Sequence, residues 1–362
     1  MEKRFMSKPF NLWVFSDVHV GTDLRHGIES LANVLRDSES GIWEWDIALD
    51  LGDMSGGQHI PDDTEGGEIV RQFQTLKHHP REAIYSLCGN HDRGSPREPV
   101  QNSWWRKWLD PEGHNTALSG VNPARRPYPI NGTWERYSFR VGNLLFLMMS
   151  DINEPTQKLG RGDLNGQMGG NPSGVVSGAT FRWWQQQVEA NPDAIIISAH
   201  HYMLKDTTVA SGAWEGVRKN SDGQWESHYH GYKELGSPEG ASYLYWVDST
   251  PDAQAFERYL AAHPGRVALW LGGHTHAHPD ATDGGKSHIE TRWGTTFINV
   301  GAVTRHHHCR HLSPPPKSRH LTFIPGSDKV TVRCFMHTDH LLPKGWYPRA
   351  EQTITLPKPF IW

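Results

Sequence analysis

Five short apolar runs in this chain stop at glycine, or directly at Asp, Asn or His, and that recurrence constrains the fold more than any other feature. Residues 11–16 lead into Asp17-Val18-His19, and 47–51 into Gly52-Asp53. Residues 83–88 lead into Gly89-Asn90-His91-Asp92, and 194–199 into His200-His201. Residues 267–271 lead into Gly272-Gly273-His274-Thr275-His276. Near-continuous apolar runs of this length suit strands of a sheet covered on both faces. In such sheets, groups just past the carboxyl ends of the strands gather on one edge. Beyond a strand end the chain need not alternate strictly, so His274 and His276 can converge on one site although they are spaced i, i+2.

Between the first three runs, residues 26–37 (Ile28, Leu31, Val34, Leu35) and 68–78 (Ile69, Val70, Phe73, Leu76) carry helical spacing. Strand, helix, strand, helix, strand predicts an α/β fold. Residues 137–141 alternate, Gly142-Asn143 turns, and 144–149 run apolar, which predicts a β-hairpin. Helices are expected over 181–189 and 252–263, a strand over 295–299, and a last hairpin over 321–324 and 329–335. Residues 203–250 are aromatic, polar and without clear period, and are expected to form a substrate-side insertion. Its Trp214, Trp225, Tyr229, Tyr232, Tyr243, Tyr245 and Trp246 could wall a pocket for an organic leaving group or pack beneath the loop. His228 and His230 inside it are substrate-binding candidates, with a surface loop as the equal alternative. No linker divides the chain, so residues 1–362 are expected to form a single domain.

Composition narrows the function. The formal net charge is −4, with no long Lys/Arg run, which disfavours a dedicated duplex-DNA enzyme. No apolar run reaches membrane-spanning length, and the first, at 12–15, is too short for a secretory core; a cytoplasmic protein without membrane contact is expected. Cys88, Cys309 and Cys334 form no CxxC pair, and Cys88 reads as a buried free thiol. Trp104, Trp105 and Trp108 could stack on a base, but their spacing is that of a helix packed on the sheet. His306, His307, His308, Cys309 and His311 lack a partner pair at zinc spacing and are read as a polar loop.

Taken singly, each strand-end residue fits a polar turn. Jointly, Asp17, His19, Asp53, Asn90, His200, His274 and His276 are a mixed O/N donor set without thiolate, suited to Mn, Fe, Zn or Co. Seven donors exceed one metal's needs; if one carboxylate bridges, they divide into two sets of four. Two metals about 3.5–4 Å apart can hold a bridging hydroxide for in-line attack on a phosphoryl group.

Asp17-x-His19, Gly52-Asp53, Gly89-Asn90-His91-Asp92, Ala199-His200-His201 and Gly272-Gly273-His274-Thr275-His276 resemble, in order and strand context, the motifs of the calcineurin-like metallophosphoesterases. The resemblance implies a two-sheet mixed β-sandwich flanked by helices. It implies that Asp17, His19, Asp53 and His276 hold one metal, and that Asp53, Asn90, His200 and His274 hold the other, with Asp53 bridging. His91 would contact the phosphate together with Asn90 and assist the leaving group, and His201 would stay outside the ligand set. Many members continue the second motif as G-D-x-x-D, whereas here Gly56 and Gly57 stand where an acid and an Arg are expected. That argues against a Ser/Thr protein phosphatase and leaves Asp92 or Asp50 to orient His91. The implied activity is hydrolysis of a small-molecule phosphodiester or phosphomonoester. The alternatives are a nuclease and a catalytically silent metal-binding interaction module. A zinc hydrolase of the H-x-H-x-D-H type is excluded, because that motif is absent.

Overall fold

The computed structural model describes residues 8–22, 30–56, 60–92, 103–152, 174–212, 217–219, 225–227, 242–252, 254–304, 315–337 and 343–362. In chain order the first half forms β1 (Phe10–Phe15), α1 (Ser30–Ser38), β2 (Ile47–Asp50), α2 (Asp63–Phe73), β3 (Ile84–Ser86), α3 (Ser103–Trp108) and α4 (Thr116–Ser119). There follow β4 (Asn131–Gly132), β5 (Arg136–Val141), β6 (Leu144–Met149), β7 (Gly174–Val176), α5 (Gly178–Ala190) and β8 (Ile195–His200). Next come β9 (Val217–Lys219), β10 (Trp225–Ser227), β11 (Leu244–Val247), β12 (Thr250–Pro251), α6 (Ala255–Ala262) and β13 (Leu269–Gly272). The chain ends with β14 (Ile289–Arg292), β15 (Thr295–Asn299), β16 (Lys317–Phe323), β17 (Lys329–Met336), β18 (Gly345–Trp346) and β19 (Gln352–Thr355).

The fold is the expected mixed α/β sandwich. One seven-stranded sheet runs β18-β17-β16-β1-β2-β3, with β19 on β17; the other runs β14-β15-β13-β8-β6-β5-β4. β1, β2 and β3 are parallel, as are β6, β8, β13 and β15, while the hairpin strands run antiparallel. Period-2 alternation builds the layers. Leu12, Val14, Ile47, Leu49, Ile195, Ile197, Leu269 and Leu271 face inward and form the core between the sheets. Trp13, Phe15 and Ala48 face outward against α1, α2 and α3, whereas Ile196 and Trp270 face α5 and α6. Each such apolar side chain removed from water contributes about 1.5–3 kcal/mol. Parallel strands in both sheets therefore end on one rim, where the Asp, Asn and His residues collect.

The 137–149 hairpin and the helix carrying Trp104, Trp105 and Trp108 form as the sequence predicts, and Cys88 is buried outside any disulfide. The helix expected over 68–78 begins earlier, at Asp63. Asp62 caps it by accepting from the Glu65 amide at 2.9 Å. Gly66 admits the Trp108 indole, because a Cβ there would lie 2.3 Å from that ring.

The 203–250 segment is built into the core at both described ends. Met203, Leu204 and Leu244 pack under α5 and α6, and β11 pairs parallel with β7. Tyr243 and Trp246 are fully buried, and Trp246 packs in one cluster with Trp13 and Val175. His228 and His230 lie outside the described residues, as do Trp214, Tyr229, Tyr232, His306, His307, His308, Cys309 and His311. Among the described residues no helix is long and apolar enough to cross a membrane.

Candidate metal centre

Backbone bonds across the rim bring the strand-end loops together. The amides of Asp17 and His19 donate to Gly52 O and Asp53 O, both at 2.9 Å, and the Gly273 amide donates to His201 O at 2.8 Å. The two sheets are tied directly by the His274 amide, which donates to Asp17 Oδ2 at 2.8 Å. Asp17, His19, Asp53 and His274 all adopt left-handed backbone, with φ of 56°, 47°, 58° and 65°. Non-glycine residues reach this region at a cost, and such residues cluster at functional sites. Two glycines permit the close approach. A Cβ on Gly273 would lie 2.0 Å from Ser16 Oγ, and one on Gly89 would lie 2.3 Å from Asp53 Oδ1.

Among the described residues three buried clusters result: Asp17, His19 and His276; His19, Asp53 and His91; and Asp53, His201 and His274. In the first, His276 Nε2 lies 3.0 Å from Asp17 Oδ1 and 3.2 Å from His19 Nε2. His19 Nδ1–H donates to Ser55 O at 3.1 Å, which leaves Nε2 with its lone pair turned toward the carboxylates. In the third, His201 Nε2 lies 3.1 Å from Asp53 Oδ2, 3.1 Å from Asn90 Oδ1 and 3.2 Å from His274 Nδ1. His201 Nδ1–H donates to Leu51 O at 2.7 Å, orienting that ring in the same manner. The Asp53 carboxylate joins the clusters. Its Oδ1 accepts the His91 amide at 2.8 Å, and its Oδ2 lies 3.7 Å from His19 Nε2 and 4.0 Å from His91 Nε2.

The electrostatics are those of a site built for positive charge. Burial alone would raise the Asp53 carboxyl, but His201 and His91 outweigh it and hold Asp53 well below the usual carboxylate range. Burial alone would lower His201, but Asp53 and Asp17 carry it up to about 10. A metal ion supplies the charge that the proton otherwise provides, and imidazole must be neutral to ligate. Imidazole nitrogens facing each other at 3.2 Å beside two carboxylates fit a shared cation.

His200, expected among the metal donors, lies outside all three clusters, and His201 is the histidine that reaches them. Ile195, Ile197 and Ala199 face the inner core, and the next inward residue is His201. His200 points outward, where the Tyr202 amide donates to its Nδ1 at 3.0 Å. Burial and the nearby His201 push the His200 imidazole down to about 3, so the ring is neutral. Ile195, Ile196 and Ile197 are apolar on both faces of the strand, so no local alternation distinguishes the two histidines. His201→Ala is expected to cost one bound metal ion. His200→Ala is expected to keep metal stoichiometry and to lose about 1–3 kcal/mol of stability. Metal counting by native mass spectrometry alongside a denaturant melt checks both.

The acid absent at position 56 has a steric reason: a Cβ there would lie 2.2 Å from Val20 O. Glu65, not singled out by the sequence, closes this corner by accepting from the Gly56 amide at 2.7 Å and Ser55 Oγ at 3.1 Å. Asp92 accepts from the amides of Asp53 and Gly89, each at 2.8 Å, and Ser55 at 2.9 Å, so its carboxyl ties the second and third strand-end loops. Burial and the Asp53 charge push it up to about 8. Asp50 Oδ1 accepts the Gly52 amide at 3.1 Å. The His91 ring packs edge-on against His19, with centroids 4.7 Å apart.

No curated protein matches this chain. Among solved structures, a conserved uncharacterized protein from Streptococcus pneumoniae, described as a predicted phosphoesterase, is similar at 12% identity and a TM-score of 0.35, covering 96% of this chain and 99% of that one. Vacuolar protein sorting 29 from Cryptosporidium parvum is similar at 10% identity and a TM-score of 0.36, covering 96% and 100%. Vps29 from Entamoeba histolytica, complexed with Zn2+, is similar at 11% identity and a TM-score of 0.35, covering 96% and 99%. Likenesses at this level carry no functional argument. The calcineurin-like phosphoesterase family model, by contrast, matches residues 10–278, a span that contains every member of the clusters above, and the chain belongs to that family.

Proposed function

We propose that this chain is a hydrolase of small-molecule phosphoesters, diester or monoester, that works with two bound metal ions. The single observation that carries the reading is the Asp53 carboxylate lying between two buried donor clusters, one with Asp17, His19 and His276 and one with Asn90, His201 and His274. Carboxylate, carboxamide and imidazole donors without thiolate suit Mn, Fe or Zn. Two such ions supply Lewis acidity toward a phosphoryl oxygen and lower the pKa of water to be used as nucleophile.

The chain's own residues do the rest. Asp17, His19, Asp53, Asn90, His201, His274 and His276 would hold the ions. His276 and the neighbouring His91 are the least buried residues of the site, so an incoming phosphoryl group meets that side. His91 Nε2, 4.0 Å from Asp53 Oδ2, is not needed to complete either set of four and can hand a proton to the leaving oxygen. Net charge −4 supports a small substrate over nucleic acid.

The test is hydrolysis of bis-(p-nitrophenyl) phosphate and p-nitrophenyl phosphate, with a single-stranded oligonucleotide as a third substrate, on protein of measured metal content. Two metals per chain are expected, with activity abolished by chelator and restored by Mn2+ or Zn2+. Full activity in metal-free protein would defeat the reading. Faster cleavage of the oligonucleotide would favour a nuclease. Two bound metals with no turnover on any phosphoester would favour a silent binding module.

A further inference from the structure

The loop 274–278 carries two of the paired imidazoles, yet it lies beyond the end of β13 and belongs to no strand or helix. Three buried polar side chains hold it from below. The Asn299 carboxamide, at the end of β15, donates from Nδ2 to Thr275 Oγ1 and accepts the Gly301 amide on Oδ1 at 2.8 Å. Lys317, the first residue of β16, donates from Nζ to Ala277 O at 2.6 Å. His288, just before β14, donates from Nε2 to His278 O at 2.8 Å. Asn299 and Lys317 are 0% exposed and His288 is 3% exposed. Gly301, at φ 73°, makes room for the ammonium, since a Cβ there would lie 2.4 Å from Lys317 Cε and Nζ.

A buried ammonium is costly to desolvate, and a methionine would fill similar volume without that cost. What the ammonium adds is a charge-assisted bond to one carbonyl. That carbonyl belongs to the residue after His276. His274 is anchored independently, through its own amide on Asp17 Oδ2. His276 is placed by its Nε2 on Asp17, which a bound cation would compete for, and by the cradle beneath it.

We infer that Lys317, with Asn299 and His288, is a positioning residue for the metal centre, fixing the His276 imidazole against Asp17 and His19. This assignment rests on the two-metal reading above and concerns one of its two sites. It makes the affinities of the two sites separable by substitution outside the ligand set.

The experiment titrates metal-stripped full-length protein with Mn2+ or Zn2+ alone by calorimetry, for wild type, Lys317→Met and Thr275→Val, with a thermal melt of each. Wild type is expected to bind in two steps. In Lys317→Met one step weakens by roughly 10–100-fold while the other stays at its wild-type value, the size typical of lost outer support of a ligand. Thr275→Val, which removes only the hydroxyl that Asn299 meets, weakens the same step by less. Combining Lys317→Met with His276→Ala should add no further loss at the affected step, which assigns it to the His276 site. Two unchanged steps in folded Lys317→Met, or two steps weakened alike, would overturn the assignment. If Lys317→Met fails to fold, unchanged steps in Thr275→Val overturn it. Wild type that takes up no metal would overturn the two-metal reading, and the assignment with it.

Discussion

Asp53→Asn is expected to leave the protein with at most one metal ion and to lower phosphoester hydrolysis by roughly 10³-fold or more, since the ions contribute several kcal/mol and each 1.36 kcal/mol is tenfold. The reason is geometric as well as electrostatic. Asp53 Oδ1 accepts the His91 amide at 2.8 Å, while Oδ2 lies 3.1 Å from His201 Nε2 and 3.7 Å from His19 Nε2. An Asn has one oxygen and one NH2. Turned one way, its NH2 faces the His91 N–H, donor against donor. Turned the other way, the NH2 replaces the oxygen shared by both clusters and repels any cation placed there. Neither rotamer reproduces the carboxylate, and the charge is lost in both. Metal counting by mass spectrometry and turnover of bis-(p-nitrophenyl) phosphate check the expectation. Two tightly held ions in the variant would contradict the bridging role.

His91→Ala is expected to keep both metal ions and to slow hydrolysis by about 10²–10⁴-fold, the usual worth of a positioned acid. The bond from residue 91 to Asp53 Oδ1 comes from the backbone amide, so alanine preserves it. What disappears is the ring that packs on His19 at a 4.7 Å centroid distance and brings Nε2 to 4.0 Å from Asp53 Oδ2. The loss should be greater for alkyl phosphoesters than for p-nitrophenyl esters, whose leaving group departs without a proton. Equal losses for both would assign His91 to phosphate binding instead. Loss of one metal would make it a ligand, since it forms a compact group with His19 and Asp53.

Much of the architecture and the site is legible in local pattern. Apolar runs of five or six residues specify strands buried on both faces, and the residues after them emerge at the rim. Asp17, His19, Asp53, Asn90, His91, His274 and His276 are visible for that reason, and the structure draws all of them together. The hairpin at 136–149 is equally local, because the Gly142-Asn143 turn joins two strands that need no distant partner to set their register.

What the chain does not display locally is decided by packing across the sandwich. The choice between His200 and His201 depends on which face of β8 meets the opposite sheet, and both are histidines one residue apart. Asn299 and Lys317 lie 24 and 40 residues from the loop positions they hold, Glu65 and His288 lie 9 and 10 residues from theirs, and none belongs to the five strand-end motifs, so no spacing rule points to them. Position 56 lacks an acid because the His19–Val20 backbone occupies the space a side chain would need, a contact between residues 36 apart. The sequence by itself determined which residue types reach the rim. The tertiary structure decided which atoms converge there, because convergence is set by the distance and register between two sheets that no local segment encodes.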